Sequence, residues 1–217
     1  MKILVIGHES SYEECTQKFG AHHQVMHARD HTYGGNNLTQ ADVVFDCINA
    51  TTRPVNFYAN WRGIVFLNTT EITLSSQVLG DISSGTQFFG FCGLSTFLNR
   101  DVLEVCLLRE EDLQDLTEVC AKLETRFVPV ADQVGLVTPR IVCMIINEAY
   151  YTVEEGTATR ADIDQAMKLG TNYPYGPFEW GQRIGLKNVY RVLEAVYQAT
   201  RDERYRICPL LKRESGY

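Results

Sequence analysis

The chain has no apolar run of about 18 residues, the length that a membrane-spanning helix requires. It also has no excess of positive charge, because 27 Asp and Glu outnumber 20 Lys and Arg and leave a net charge of −7. A surface for nucleic acid or for an acidic membrane is therefore not expected. The N-terminus runs directly into a predicted strand and carries no signal-peptide pattern, so we predict a cytoplasmic protein.

Cysteine and histidine patterns typical of metal sites are also missing. None of the seven cysteines forms a C-x-x-C pair, and most lie in apolar runs, which favours reduced thiols in a core. All five histidines lie at or before His31, and their spacing from Cys and Asp favours no metal. We therefore predict no metal site.

The chain begins like a nucleotide-binding domain, but two of the glycines that such a domain needs are absent. The segment KILVIG, residues 2–7, is typical of a buried strand that ends in a glycine turn. A dinucleotide loop would continue as G-x-G-x-x-G, and here Glu9 and Tyr12 replace the second and third glycines. Two like charges about 4 Å apart repel by roughly 4 kcal/mol at an effective dielectric of 20. The Glu9 carboxylate therefore opposes a pyrophosphate at this position.

Asp30 gives separate support for a dinucleotide fold. It follows a predicted strand over residues 23–29 and lies 23 residues after Gly7, close to where such folds place the acid that binds a ribose. Aspartate is also common at strand ends, so the sequence leaves a chance occurrence open. Residues 31–37 are rich in Gly and Asn and predict a loop, and the next strand, 41–49, follows too closely for an additional strand and helix. The sequence thus predicts Gly7 and Asp30 as cofactor-binding residues of a shortened Rossmann-like domain.

The predicted elements change from mixed to helical along the chain. The α/β part ends with an amphipathic helix over 110–126 and an edge strand over 127–130, where Pro129 suits an edge. From about Val134 only helices are predicted, including one that starts after the cap Thr159 and stops at Gly170. We predict an α/β domain over 1–131 and an all-α domain over 132–217.

The helical half carries two motifs that resemble a known family. They are DIDQAMKLG, residues 162–170, and YPYGP, residues 173–177, preceded by Asn147-Glu148-Ala149. Together they resemble the C-terminal domain of 3-hydroxyacyl-CoA dehydrogenases, closely over residues 134–195 and loosely in the N-terminal half. The resemblance implies NAD as the cofactor of an active protein and a 6-phosphogluconate dehydrogenase C-terminal-like helical domain that forms a homodimer. The same residues also suit purely structural roles as caps, helix stops and turns, so the motifs by themselves indicate a fold and not catalysis.

The resemblance implies three catalytic positions when it is carried over residue by residue. In the family a serine contacts the substrate oxygen, a histidine takes the hydroxyl proton, and a glutamate orients that histidine. The matching positions are Thr70, Cys92 and Glu104, so a hydroxyl and the glutamate are kept while the histidine is a cysteine. A substrate-binding asparagine and a ribose-binding acid of the family match Pro139 and Ala50.

Loss of the histidine matters because hydride transfer from a hydroxyl needs a base whose pKa lies near the working pH. Imidazole meets this need at about 6.5, whereas a thiol ionises at about 8.5 and less readily beside a carboxylate. Removing a general base costs about 10²–10⁴ in rate. We therefore favour a divergent family member with weak or no dehydrogenase activity and no cofactor, acting as a binding or dimeric subunit.

Three other hypotheses stay open at this point. The chain is an active NAD-dependent 3-hydroxyacyl-CoA dehydrogenase of fatty-acid metabolism, as Thr70 and Glu104 suggest. Cys92 is a nucleophile instead of a base, although no cation is placed to activate it. The cleft binds an acyl-CoA or another small ligand, lined by aromatic residues that more often pack in a core, namely Tyr173, Tyr175 and Trp180.

Overall fold

The computed structural model describes residues 1–48, 55–78 and 85–217. The chain divides into two compact units, Met1–Leu136 and Val137–Tyr217, each described separately below. The sequence places the boundary at residue 131, slightly earlier. Ala50, which matches the ribose-binding acid of the family, lies outside the described residues.

The first unit is built on a seven-stranded sheet with the order β2-β1-β3-β4-β5-β6-β7 within the described residues. The strands are β1 (Lys2–Ile6), β2 (Gln24–Ala28), β3 (Val43–Asp46), β4 (Ile64–Asn68), β5 (Gln87–Phe91), β6 (Val102–Cys106) and β7 (Arg126–Val130). The first five are mutually parallel, β6 runs antiparallel to β5, and β7 is parallel to β6. The predicted α/β domain is confirmed, and its sheet is mostly parallel.

Continuous apolar runs form the central strands because helices cover both faces of such a sheet. The helices of this unit are α1 (Glu9–Phe19), α2 (His31–Leu38), α3 (Val55–Tyr58), α4 (Leu74–Val78) and α5 (Leu113–Lys122). On the face covered by α1 and α5, Phe45 stacks on Phe66 with 4.7 Å between ring centroids, and Phe91 meets both rings edge-on. These rings form the centre of the core.

The strand order fixes where a ligand can bind. After β1 the chain goes to β2 on one side and then to β3 on the other, so the topological switch point lies between β1 and β3. In open parallel sheets, ligands bind outside the carboxyl ends of the strands at this point. A full dinucleotide fold has a further strand beyond β2, whereas here residues 29–42 contain no strand and β2 is an edge. The prediction that no additional strand fits is confirmed.

The prediction of a loop over residues 31–37 is wrong, because this segment forms helix α2. Glycine and asparagine are poor helix formers, which hid the helix in the sequence. Tertiary packing explains the glycine: a Cβ on Gly34 would lie 3.1 Å from the ring of Phe57 and 3.5 Å from Ile6. Because glycine has no side chain, α2 can approach the sheet closely at Gly34.

Of two further predictions for this unit, one is confirmed and one gives the wrong helix length. The edge strand is confirmed, since β7 closes the sheet and carries Pro129 where no outer partner needs its N–H. The long amphipathic helix is shorter than predicted: residues 110–112 form a 3₁₀ turn, and α5 ends at Lys122. Glu124 then adopts a left-handed φ of 53°, which ends the helix before Arg126.

The second unit is entirely helical in the described residues. Its helices are α6 (Thr138–Glu154), α7 (Arg160–Thr171), α8 (Pro177–Ile184), α9 (Leu186–Thr200) and α10 (Pro209–Glu214). Thr159 caps α7 as predicted, accepting a hydrogen bond from the Asp162 amide. Gly170 does not stop this helix, because α7 continues to Thr171 and Asn172 takes the left-handed conformation instead. Among the described residues no helix is long and apolar enough to cross a membrane.

Candidate functional site

The carboxyl ends of β3, β4 and β5 are joined by the side chain of Asn68. Its Oδ1 accepts hydrogen bonds from the Gly93 amide at 3.1 Å and the Thr70 hydroxyl at 2.9 Å, and its Nδ2 donates to the Cys47 carbonyl at 3.4 Å. A Cβ on Gly93 would lie 2.8 Å from Cα of Cys47, so the loop after β5 approaches β3 closely. Asn68 therefore organises the edge of the sheet at which a ligand would bind.

Gly7 retains the geometry of the first glycine of a nucleotide loop. Its φ is +151°, which L side chains rarely adopt, and a Cβ would lie 3.0 Å from Cβ of Cys47. The turn therefore requires glycine both for its backbone conformation and for the space beside β3.

Glu9 and Tyr12 occupy the positions of the missing glycines and both contact His27. Nε2 of His27 lies 2.9 Å from the carbonyl oxygen of Gly7, and Nδ1 lies 3.5 Å from Oε2 of Glu9. The ring stacks on Tyr12 with a centroid distance of 4.9 Å. Because a carbonyl only accepts hydrogen bonds, Nε2 carries the proton. The sequence shows the lost glycines but not this partner, which comes from the neighbouring strand.

Asp30 caps helix α2. Its Oδ1 accepts hydrogen bonds from the amides of Thr32 at 2.8 Å and Tyr33 at 3.3 Å. This role accounts for an aspartate at the strand end without any ligand. The backbone amides contact the same oxygen, Oδ1, in both cases.

A buried cluster next to the switch point escaped the sequence analysis. The Asp46 carboxylate, at the end of β3, accepts hydrogen bonds from His31 Nε2 at 2.7 Å and from the Tyr58 hydroxyl at 2.8 Å. Burial lowers the pKa of His31, but the hydrogen bond and charge of Asp46 outweigh it and raise that pKa above its ordinary value. Burial and the same carboxylate raise the pKa of Tyr58. The available signal was an aspartate inside an apolar strand, which must find a partner when buried.

The three predicted catalytic positions differ in their surroundings. In the antiparallel β5–β6 pair, Phe91 pairs with Val105, and Cys92 and Glu104 are the next residues after Phe91 and before Val105 on these neighbouring segments. The spacing read from the sequence is thus a cross-strand relationship. Thr70 is fully buried and its hydroxyl donates to Asn68. Its hydroxyl is used within the protein.

The other thiols of this unit are buried, and their pKa values are shifted upwards. Burial raises the pKa of Cys15 and of Cys106 to about 12, and Asp132 adds to the shift at Cys106. Burial also raises the pKa of Cys47. These thiols are protonated at neutral pH, so they are poor nucleophiles. Within the described residues, no group of three His, Cys, Asp or Glu side chains could hold a metal ion.

The two motifs of the helical unit contact each other. The Asp164 carboxylate accepts hydrogen bonds from the amides of Phe178 at 2.8 Å and Glu179 at 3.1 Å, so it caps α8. A Cβ on Gly176 would lie 2.3 Å from Cγ of Asp164. The aspartate of the first motif therefore needs the glycine of the second, which explains why they occur together.

The remaining predicted residues of this unit have structural roles. Pro139 lies in the first turn of α6, where its missing N–H costs no hydrogen bond. Trp180 is buried and packs edge-on against Tyr173 and Tyr175 at centroid distances of 6.2 and 5.9 Å. The three aromatic side chains pack on one another.

Comparison with known proteins is consistent with this arrangement. Residues 135–215 match the model of the 3-hydroxyacyl-CoA dehydrogenase C-terminal domain. The chain belongs to the 3-hydroxyacyl-CoA dehydrogenase family.

Relatives of this 3-hydroxyacyl-CoA dehydrogenase family member match different lengths of the chain. The 3-hydroxyadipyl-CoA dehydrogenase of Escherichia coli is 47% identical over 92 residues, 41% of this chain and 19% of that protein. The probable 3-hydroxybutyryl-CoA dehydrogenase of Deinococcus radiodurans is 31% identical over 155 residues, 70% of this chain and 55% of the relative. The chain thus spans about half or less of the length of these curated relatives.

The fold of the family member is shared by solved structures. The (S)-3-hydroxybutyryl-CoA dehydrogenase of Ralstonia eutropha aligns with a TM-score of 0.71 at 19% identity, covering 98% of this chain and 92% of that one. At this identity the likeness establishes the fold alone. A Rossmann-like sheet unit followed by a helical domain is therefore confirmed for the chain.

Proposed function

We propose that the chain is an NAD-dependent oxidoreductase of the 3-hydroxyacyl-CoA dehydrogenase type, acting at the 3-hydroxyl or 3-oxo group of an acyl-CoA. The observation that carries the proposal is the length of the match to the Deinococcus protein. It covers 155 residues, whereas the helical unit is confined to residues 137–217, so the similarity extends into the sheet unit. This proposal replaces the interpretation favoured by the sequence alone, in which the protein binds no cofactor.

The residues of the sheet unit fit a dinucleotide at two positions and oppose it at a third. Gly7 supplies the turn that lets a backbone approach a phosphate, and Asp30 follows β2 at about the spacing of a ribose-binding acid, with Oδ1 held by backbone amides. Glu9 places a carboxylate at the start of α1, where the pyrophosphate belongs. Its side chain is 67% exposed, so it can turn away from the helix start. When bound, the nicotinamide supplies or accepts hydride.

On the substrate side, the chain's own residues offer weak proton transfer. The family resemblance assigns the position of the base to Cys92, and Glu104 lies on the neighbouring strand β6, next to Val105. A thiol ordinarily ionises at about 8.5, so at neutral pH a cysteine is a poorer general base than a histidine. We expect turnover about 10²–10⁴ below that of an enzyme with a positioned histidine.

A second candidate function is binding without catalysis, as a subunit or ligand-binding protein. The specific observation in its favour is Thr70, whose hydroxyl is buried and bonded to Asn68. The hydroxyl at the position that contacts the substrate oxygen in the family is thus engaged within the protein. If this second function is correct, we expect the protein to bind acyl-CoA without consuming NADH.

Oxidation of NADH by acetoacetyl-CoA, followed by absorbance under single-turnover conditions, separates the two candidates. The proposed function expects slow turnover by the natural chain and at least a tenfold gain in Cys92→His, because Glu104 would orient the new imidazole. Cys92→Ser is the matched control and should show no gain. The double variant Cys92→His with Glu104→Gln should lose most of the gain. No NADH oxidation by either the natural chain or Cys92→His would contradict the proposal.

A further inference from the structure

We infer that Glu9 excludes the pyrophosphate of a dinucleotide from the start of α1 and so sets the affinity for the cofactor. The inference rests on the proposed function, because it concerns the cofactor position of that same site. The chain differs here from a G-x-G-x-x-G loop, because the position that needs a bare backbone carries a carboxylate.

The start of α1 leaves donors that a phosphate would use. The first backbone bonds of the helix run from the amides of Ser11 and Tyr12 to the His8 carbonyl, at 3.0 and 3.3 Å. The amides of Glu9 and Ser10 belong to the first turn, whose N–H groups lack intrahelical acceptors. His8, the N-cap residue, makes no side-chain cap hydrogen bond. An anion would be favoured here by the helix dipole, and the Glu9 carboxylate is the anion that the chain itself supplies.

The ring of His27 lies beside the Glu9 carboxylate at the start of α1. Its Nε2 donates to the Gly7 carbonyl and its ring lies on Tyr12, so the imidazole is fixed from two sides. The other nitrogen, Nδ1, faces Glu9 at 3.5 Å. Only 19% of the His27 side chain is exposed, against 67% for Glu9, so the histidine is the fixed member of the pair.

The described side chains that follow Glu9 in the loop supply no charge that would offset its carboxylate. His27 uses Nε2 on a backbone carbonyl, and Ser10 and Ser11 are neutral. Ser10 contacts the Ser95 hydroxyl at 3.1 Å, and Ser11 is buried. A pyrophosphate therefore meets the full charge of Glu9 unless that side chain turns outward.

Calorimetric titrations of NADH, ADP and adenosine into the full chain test this inference. Glu9→Gln removes the charge at nearly constant size, and Glu9→Ser removes both charge and bulk. Glu13→Gln, an exposed glutamate one turn later on the same helix, is the matched control. We expect both Glu9 variants to bind ADP and NADH at least tenfold more tightly than the natural chain, with adenosine unchanged and the control like the natural chain.

Adenosine makes the outcome specific, since it carries the base and ribose but no phosphate. Equal ADP affinity in the natural chain and both Glu9 variants would overturn the inference, and so would binding too weak to detect in all three. An equal gain for adenosine and ADP would also overturn it, because charge at the pyrophosphate would not be the cause.

The proposed function is judged on a different readout. Tighter NADH binding by Glu9→Gln without any turnover of acetoacetyl-CoA would leave the inference standing and remove the function. Turnover by the natural chain, with no change of NADH affinity in the Glu9 variants, would support the proposed function and overturn the inference about Glu9.

Discussion

Nε2 of His31 lies 2.7 Å from Oδ2 of Asp46, and the Tyr58 hydroxyl donates to the same oxygen from 2.8 Å. Asp46 is only 2% exposed, so both hydrogen bonds compensate a buried carboxylate. Through these contacts the first residue of α2 and the last residue of α3 are both attached to the end of β3. The pair thus ties two helices to the strand beside the switch point.

The His31–Asp46 pair predicts a pH-dependent contribution to stability. The folded pKa of His31 is raised, so its contribution is complete below the unfolded pKa, about 6.5, and is lost as pH rises through the folded value. His31→Gln should therefore lower the free energy of unfolding more at pH 6 than at pH 9. A hydrogen bond to a charged group contributes about 1.5–3 kcal/mol, which bounds the effect.

Urea unfolding at several pH values measures this difference. His22→Gln, which changes an exposed histidine of the same unit, is the control and should leave the pH dependence unchanged. A constant difference between His31→Gln and the natural chain from pH 6 to 9 would show that the charge of His31 contributes nothing.

The contact between Gly176 and Asp164 predicts opposite effects for two glycine substitutions. Gly176→Ala should destabilise the protein by about 1–3 kcal/mol, the usual cost of overpacking, because the added Cβ would lie 2.3 Å from the Asp164 carboxylate carbon. Gly170→Ala should stabilise it by up to about 1 kcal/mol, because Gly170 is helical and nothing lies within 4 Å of an added Cβ. Thermal unfolding of the two variants checks both signs. Equal shifts of the melting temperature in Gly176→Ala and Gly170→Ala would refute the steric explanation.

We propose that the helical unit forms a symmetric homodimer through apolar side chains on α6 and α7. Ile141 is 54% exposed and Leu169 is 78% exposed, both large for isolated apolar residues. Light scattering at micromolar concentration should give twice the 24.6 kDa chain mass. Ile141→Glu or Leu169→Glu should shift the mass towards one chain, whereas Val128→Glu, on the exposed edge of the sheet, should not. A monomeric natural chain would contradict the proposal.

Burial of the thiols predicts slow chemical labelling. All seven cysteines are buried and lie outside disulfides, and burial raises the pKa of Cys143 to about 12 as it does for Cys15. Ellman's reagent should therefore label fewer than one thiol per chain in the native protein and seven after denaturation. Rapid labelling of Cys92 alone would instead indicate an activated nucleophile.

Local patterns were sufficient for much of this protein. Apolar runs located the strands, the Thr159 cap located the start of α7, and the paired motifs of the helical half indicated the family, because each signal lies within a few neighbouring residues. The twelve-residue spacing of Cys92 and Glu104 was also readable in the sequence, through the resemblance to the family.

Only the tertiary structure decided what those residues contact. Helix α2 forms against its glycine-rich composition because Gly34 must approach the sheet, and Thr70 is buried because Asn68 joins three strand ends. Strand pairing brings His27 to Glu9, and helix docking brings His31 and Tyr58 to Asp46. These partners are distant in sequence, and their selection depends on burial and on satisfying buried polar groups, which composition and spacing do not encode.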